Sequence, residues 1–307
     1  MELIRGLHNI TPQHHGCVLT IGNFDGVHLG HQAVLAQVRQ IAQQLGLPSV
    51  VMVFEPQPLE LFNSVAAPAR LTRFREKYHW LSRLGLDRLL CAGFTKAFAN
   101  QEPEQFISDL LLNKLGVRHL IVGDDFCFGK NRAGNFALLQ QAATRYGFGL
   151  TNTASLKQGD IRVSSTSIRQ ALEQDELVLA EQMLGRPFSL MGRVRHGEKI
   201  GRQLGFPTAN VWLYRKKLPV TGVYAIEAAT PHGVFYGVAN IGARPTLQGK
   251  QEQLEAHLFD FQGDIYGQHI EVVLRHKLRD ERKFASLTDL QQQIQLDAAA
   301  ARHYFSQ

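Results

Sequence analysis

The chain has 307 residues, of which 44% are hydrophobic and 20% charged, a balance that suits a soluble globular protein and leaves room for two ordinary domains. Its net charge of +6 divides as +2 over residues 1–186 (18 basic, 16 acidic) and +4 over 187–307 (15 basic, 11 acidic), which excludes a basic tail and suits small phosphate-bearing ligands at least as well as nucleic acid. No apolar run approaches the ~18 residues of a membrane span, and "MELIRGLHNI" carries Glu2 and Arg5 with no apolar stretch behind them, so the expected location is cytoplasmic, without membrane or signal peptide.

Strand and helix alternate in the first part. "GCVLTIG" (16–22) reads as a buried strand, and the helix after it carries Val34, Leu35, Val38, Ile41 and Leu45 on one stripe before Gly46 and Pro48 stop it. "SVVMVF" (49–54) and "RLLCAGF" (88–94) are further strands. "EPEQFISDLLLNKLG" (102–116) is a helix with Pro103 in its first turn and Gly116 at its end. "RHLIVG" (118–123), a helix near 135–146 closed by Gly147, and "FGLTNT" (148–153) complete the series. Strands that are apolar on both faces and separated by helices imply a Rossmann-like parallel sheet covered on both sides, with ligands at the carboxyl ends of its strands. The cysteines Cys17, Cys91 and Cys127 are scattered and odd in number, which argues for a reducing compartment and against a thiolate metal site.

The texture changes after "LGRP" (184–187). "FSLMGRVR", "GVYAIEAA", "VFYGVANIG", "LEAHLFDF" and "IEVVLRHKL" are short strands parted by Gly, Pro and Asp turns without helices between them, which points to a small antiparallel barrel. A last helix begins near Ser286, with Asp289 as a capping-box-like partner, and runs through Leu290, Ile294, Ala298, Ala301 and Phe305. The expected domains are therefore 1–185 and 186–307.

Candidate chemistry starts at "GNFDGVHLGH" (22–31). His28 and His31 stand three apart at a helix start, where unpaired N–H groups and the helix dipole favour an anion. Gly22, Gly26 and Gly30 would let a phosphate approach the backbone, and two neutral imidazoles would stabilise charge growing in a transition state. Zinc would need three or four ligands, and only Asp25 is near. Either ring could instead satisfy local hydrogen bonds. "IRVSSTSIRQAL" (161–172) sets Ser164, Ser165 and Thr166 at a strand-to-helix junction with Arg169 one turn in, either a second phosphate grip or a plain N-cap. "VGDDFCFGKNRAGN" (122–135) resembles a P-loop only in part: five residues separate Gly123 from Gly129, and Asn131 stands where Ser or Thr is required.

In the second half, "GEKIGRQLGFPTANV" (197–211) offers a flexible glycine loop, then Pro207 before two oxygen-bearing side chains, Thr208 and Asn210. Those types suit a hard cation such as Mg²⁺ and equally an ordinary barrel loop. A basic barrel could also bind RNA, although no stripe of stacked aromatics is evident and the basic residues are dispersed.

Taken together, "GNFDGVHLGH", "VGDDFCFG" and "SSTSIR", in that order, resemble the H-x-G-H nucleotidyltransferase superfamily, and specifically the first domain of bacterial bifunctional riboflavin kinase/FAD synthetases. "GRQLGFPTAN", "GVYA", "GVANIGARPT", "LEAHLFDF", "IYG" and "RDERKFASLTDLQQQIQLD" are similar to that family's kinase domain, so the resemblance spans residues 1–305. It implies a kinase that converts riboflavin and ATP to FMN, and an adenylyltransferase that converts FMN and a second ATP to FAD and pyrophosphate. It further implies that His28, His31 and Arg169 are catalytic, that Gly22, Asn23, Asp25, Ser165 and Thr166 help hold ATP, and that Asp125, Phe126 and Phe128 belong to a flavin-binding loop. In the kinase it implies a phosphate loop with Gly201, Gly205 and Pro207, Mg²⁺ on Thr208 and Asn210, and Glu255 as base. Two positions depart from the family pattern: Cys127 replaces a usual Arg and Asn135 an acid, which leaves open a kinase with a silent first domain. No nucleic-acid partner is implied.

Overall fold

The computed structural model describes residues 1–123, 125–154, 156–159, 161–197, 205–246 and 249–307. The chain packs as two compact units, one of residues 1–68 and 72–164, the other of 69–71 and 165–307.

A six-stranded parallel sheet in the order β1-β4-β3-β2-β5-β6 forms the first unit. Its strands are β1 (Glu2–Arg5), β2 (Cys17–Ile21), β3 (Ser49–Glu55), β4 (Arg88–Gly93), β5 (Val117–Gly123) and β6 (Gly149–Thr153). Five are the strands expected from the sequence. β1 was not legible there, because it is a short edge strand in which only Ile4 is buried. Every residue of β2 is buried, as a central strand requires. Its side chains alternate between two cores: Cys17, Leu19 and Ile21 face Leu110 and Leu111, while Val18 joins Leu35 and Val38.

Those last two residues belong to α1 (Leu29–Leu45), which ends at Gly46 with φ 64°, the left-handed cap a glycine supplies without strain. α2 (Phe74–Ser82) was not anticipated, and it buries Leu81. The expected helix at 102–116 is wound differently. After one turn from Pro103 it continues as a π-helix over Phe106–Lys114, burying Phe106, Ile107, Leu110 and Leu111. Spacing of apolar residues does not distinguish that winding from an α-helix. α3 (Phe136–Tyr146) lies as expected, capped at its start by the Asn135 side chain accepting from the Leu138 amide at 3.1 Å. Asn135 thus keeps the capping role an acid would have. A two-stranded hairpin, β7 (Lys157–Gln158) and β8 (Ile161–Arg162), follows.

The second unit begins with α4 (Ser165–Glu173) and α5 (Leu177–Leu184) and continues as a closed barrel, β10-β13-β12-β11-β14-β9. Its strands are β9 (Ser189–Arg195), β10 (Ala209–Trp212), β11 (Gly222–Thr230), β12 (Gly233–Thr246), β13 (Gly249–Leu258) and β14 (His269–Arg279). The barrel has one strand more than the sequence suggested. β10 is only four residues long and sits inside what reads as a loop, but it closes the ring by pairing with both β9 and β13. α6 (Leu287–Phe305) is capped by Ser286, whose side chain accepts from the Asp289 amide at 3.1 Å. It packs Ala298, Ala301 and Phe305 against Ala225, Val238 and Phe259 of the barrel.

Candidate active sites

The turn after β2 is wound through left-handed positions at Phe24 (φ 47°), Gly26 (φ 85°) and Val27 (φ 46°). Such backbone persists only where its surroundings hold it. Here the holding group is Thr72, buried and distant in sequence. Its amide donates to Asp25 Oδ1 at 2.8 Å, its hydroxyl donates to the same oxygen at 3.1 Å, and the Gly26 amide donates to its Oγ1 at 2.9 Å. Asp25 is therefore a buried latch for the turn, while Asn23 beside it is exposed.

The turn delivers His28 to the N-cap of α1. His28 Nδ1 accepts from the His31 amide at 3.3 Å, which places its proton on Nε2. The two imidazoles are stacked, centroids 3.5 Å apart and planes within 18°. Burial first, then the adjacent His28 ring and the Lys77 ammonium, hold His31 well below the ordinary histidine value. His31 is thus neutral at physiological pH, and its buried Nδ1 has no hydrogen-bond partner among the described residues. A neutral His31 ring stacked on His28 at a helix start can donate a hydrogen bond to an anion without first losing a proton.

The glycines here are explained first by their neighbours. A Cβ on Gly30 would lie 3.2 Å from Cε1 and Nδ1 of His28, and one on Gly22 would lie 3.1 Å from the Phe24 ring. Backbone openness to phosphate, the reason suggested by sequence, comes second at these two positions.

The loop after β5 is built on aromatic rings. Phe126 and Phe128 stack at 5.7 Å, Phe128 meets Phe106 at 5.0 Å, and Gly134 bridges to Phe128, whose ring leaves no room for a Cβ there. Asp125 is exposed and only loosely paired to Arg162 at 3.5 Å. Cys127 is partly buried between the two phenylalanines in sequence and forms no disulfide. Ser165 and Thr166 open α4 in the second unit, anchored by the buried Ile168, and Arg169 Nε donates to the carbonyl of Ala69 at 2.5 Å.

In the barrel, register assembles the second site. Asn210 of β10 lies opposite Glu255 of β13, which in turn lies opposite Asn240 of β12, so three polar residues form one row across three strands. Asn210 Oδ1 accepts from Gln253 Nε2 at 2.6 Å. Gly197 leaves the space the Asn210 amide occupies, since a Cβ there would approach it to 2.3 Å. His257 Nδ1 meets the carbonyl of Pro207 at 2.9 Å, which ties the strand to the turn at Gly205 (φ 87°). Gly201 lies outside the described residues.

Two cavities meet at Thr208. One, of about 290 Å³, is walled by Phe206, Val223, Phe284 and Leu290 and carries Glu255, Asn240 and Glu281. The other, of about 260 Å³, is lined by Gly197, Pro207, Asn210 and Tyr266, and the Tyr266 ring lies 3.9 Å from that of His196. The first combines these apolar walls with charged side chains, Arg279, Arg282 and Asp297 besides the two glutamates. Asn240 Nδ2 donates to Glu281 at 3.1 Å, and Arg279 grips the buried Asp297 of α6 through Nε–Oδ1 (2.9 Å) and NH2–Oδ2 (2.8 Å). That pair fixes the helix forming one wall. Among the described residues no group of three His, Cys, Asp or Glu could hold a metal ion.

Residues 10–167 match the family model for FAD synthetase and residues 184–305 that for riboflavin kinase. The chain is 54% identical over 308 residues to a bifunctional riboflavin kinase/FMN adenylyltransferase of Escherichia coli (strain K12), covering 99% of this chain and 98% of that one. It is 50% identical over 307 residues to one of Haemophilus influenzae, covering 100% of both. The chain belongs to the bifunctional riboflavin kinase/FMN adenylyltransferase family. It carries both the FAD synthetase and the riboflavin kinase domain of that family. A solved structure described as a macrolide-efflux protein from Streptococcus pneumoniae has the same fold, with a TM-score of 0.81, 28% identity, and 98% of this chain and 99% of that one covered. Among the described residues of this riboflavin kinase/FMN adenylyltransferase family member, no helix is long and apolar enough to cross a membrane.

Sequence reading missed Thr72 and Gln253, which bond the candidate site residues Asp25 and Asn210, and Asn240, which lies opposite Glu255 in register. A lone Thr before a helix carries no signal. Asn240 lies within "GVANIG", which identifies a strand but not the residue facing Glu255 across it.

Proposed function

We propose that residues 1–185 transfer AMP from ATP to FMN and that residues 186–307 phosphorylate riboflavin, in the cytoplasm and without a nucleic-acid or membrane partner. The observation that supports this most directly is the row Asn210, Glu255, Asn240 at the junction of two cavities. It sets a carboxylate in a partly apolar pocket one strand from an oxygen ligand lining the neighbouring pocket, as transfer between a flavin and a nucleotide requires.

An alcohol is a poor nucleophile, so the kinase needs a base. In this reading Glu255 takes the proton of the ribityl 5′-hydroxyl as its oxygen attacks the γ-phosphorus of ATP, and ADP leaves. Thr208 and Asn210 fit Mg²⁺: both offer neutral oxygens, and Asn210 Oδ1 keeps a second lone pair beside its bond to Gln253. When bound, Mg²⁺ neutralises polyphosphate charge and orients the transferred phosphoryl group. Gly205 and Pro207 would belong to the loop over those phosphates, with Gly201 assigned to it by the family resemblance alone.

Adenylyl transfer needs no base, because an FMN phosphate with a second pKa near ~6 is already mostly dianionic at pH 7. One phosphate oxygen attacks the α-phosphorus, and pyrophosphate departs. Here the work is alignment and neutralisation of two anions. His28 and His31 donate to the triphosphate as neutral imidazoles. Gly22, Asn23 and Asp25 shape their turn. Ser165, Thr166 and Arg169 contribute hydroxyls and a guanidinium, and Asp125, Phe126 and Phe128 border the flavin.

A chromatographic time course with riboflavin, ATP and Mg²⁺ tests the reading. FMN appearing first and FAD after it is the expected result. FMN that accumulates without FAD, even after fresh ATP, would leave a kinase with a silent first domain and make Cys127→Arg the next variant.

A further inference from the structure

Three consecutive backbone carbonyls, those of Ala69, Arg70 and Leu71, accept from two guanidinium groups. Arg169 Nε donates to Ala69 O at 2.5 Å. Arg215, on the loop that follows β10, donates through NH1 to Arg70 O and through NH1 and NH2 to Leu71 O at 3.4 Å. Arg215 is 6% exposed, so its charge is withdrawn from water and directed onto this segment. Residues 69–71 are foreign to the barrel in sequence, yet they pack with it. The next residue, Thr72, is the one that latches Asp25 and Gly26 in the turn before His28.

From this we infer that Arg215, a residue of the kinase barrel, is a positioning residue for adenylyl transfer. It touches no reacting atom. It clamps the carbonyls of residues 70 and 71, and that clamp acts in two directions along the peptide. Toward the amino end it fixes Ala69 O, the acceptor that orients the Arg169 side chain. Toward the carboxyl end it fixes the start of the Thr72 latch and, through Asp25, the turn that carries the stacked histidines. Residues 69–71 therefore have their geometry set by a side chain that family boundaries assign to the other enzyme. A planar fork that spans two carbonyls suits this task, whereas a single ammonium on a flexible stem does not.

The inference rests on the proposed adenylyltransferase reading for its functional half, so the test has an activity arm and an activity-independent arm. Full-length Arg215→Met and Arg215→Lys proteins are compared with the wild type for FMN-to-FAD and riboflavin-to-FMN conversion. Arg215→Met is expected to lose about tenfold to a hundredfold in kcat/KM for adenylyl transfer, the scale of a small misplacement, with phosphorylation within about twofold of wild type. Arg215→Lys should fall between them. Hydrogen exchange read on peptides covering residues 66–76 and 22–32 should accelerate in Arg215→Met, with peptides of β11 and β14 unchanged. FAD formation unaffected in Arg215→Met, or both activities lost in parallel, would overturn the inference, as would unchanged exchange at residues 22–32. If the wild type makes no FAD, the functional reading fails on its own, and the exchange result still decides whether Arg215 holds the turn.

Discussion

Replacing Thr72 by Val keeps the shape of a buried side chain and deletes its hydroxyl. That hydroxyl makes two of the three bonds of the latch: it donates to Asp25 Oδ1 at 3.1 Å and accepts from the Gly26 amide at 2.9 Å. A bond to a carboxylate contributes about 2 kcal/mol and a neutral one about 1 kcal/mol. The methyl that Val adds offsets about 1 kcal/mol by apolar burial. The net loss is then about 2 kcal/mol, which for a unit of this size lowers the melting midpoint by about 4–8 °C. The Thr72 amide still donates to Asp25, so the turn loosens without being released. Calorimetry of Thr72→Val beside Thr72→Ser measures the first effect, and FAD formation from FMN the second. Thr72→Ser keeps both bonds and should stay close to wild type. An unchanged melting profile together with unchanged FAD formation in Thr72→Val would refute the view that this latch holds the strained turn before His28.

Gly30→Ala should gain up to ~1 kcal/mol of helix propensity, while its Cβ, 3.2 Å from the His28 ring, displaces that imidazole; FAD formation should fall in a protein no less stable to urea, with riboflavin phosphorylation intact. His28→Ala should abolish FAD formation and spare FMN formation, and equal loss of both would contradict the assignment of two sites. Glu255→Gln should do the reverse, with added FMN still converted to FAD; normal phosphorylation by this variant would remove Glu255 as the base. His31 is held below its ordinary value of 6.5, so the folded state prefers it neutral. Above that pH it adds no pH dependence. As pH falls below it the unfolded chain takes up a proton that the folded chain refuses, and stability drops by up to ~1.4 kcal/mol per pH unit until the folded pKa is reached. Urea midpoints at pH 7.5 and 5.5 should therefore diverge more for wild type than for His31→Gln, and parallel behaviour would show that His31 is not the group responsible.

What the sequence determined by itself is what local geometry can encode. Apolar runs such as "SVVMVF" identify central parallel strands because both faces must be covered, and Gly46 and Ser286 mark helix ends because caps act on adjacent amides. His28 and His31 belong to the same class. Three residues apart at a helix start, their rings can point the same way, and the structure stacks them.

Tertiary structure decided the rest, because closure over long separations leaves no periodic trace. Four residues, Ala209–Trp212, are a strand only because β9 and β13 offer edges on either side, and that closure is what brings Asn210 opposite Glu255. Thr72 reaches Asp25 across 47 residues, and Arg215 reaches Leu71 across 144. Each is an ordinary polar residue in sequence. They become structural determinants only when folding buries them, since a hydrogen bond withdrawn from water must find its partner inside the protein.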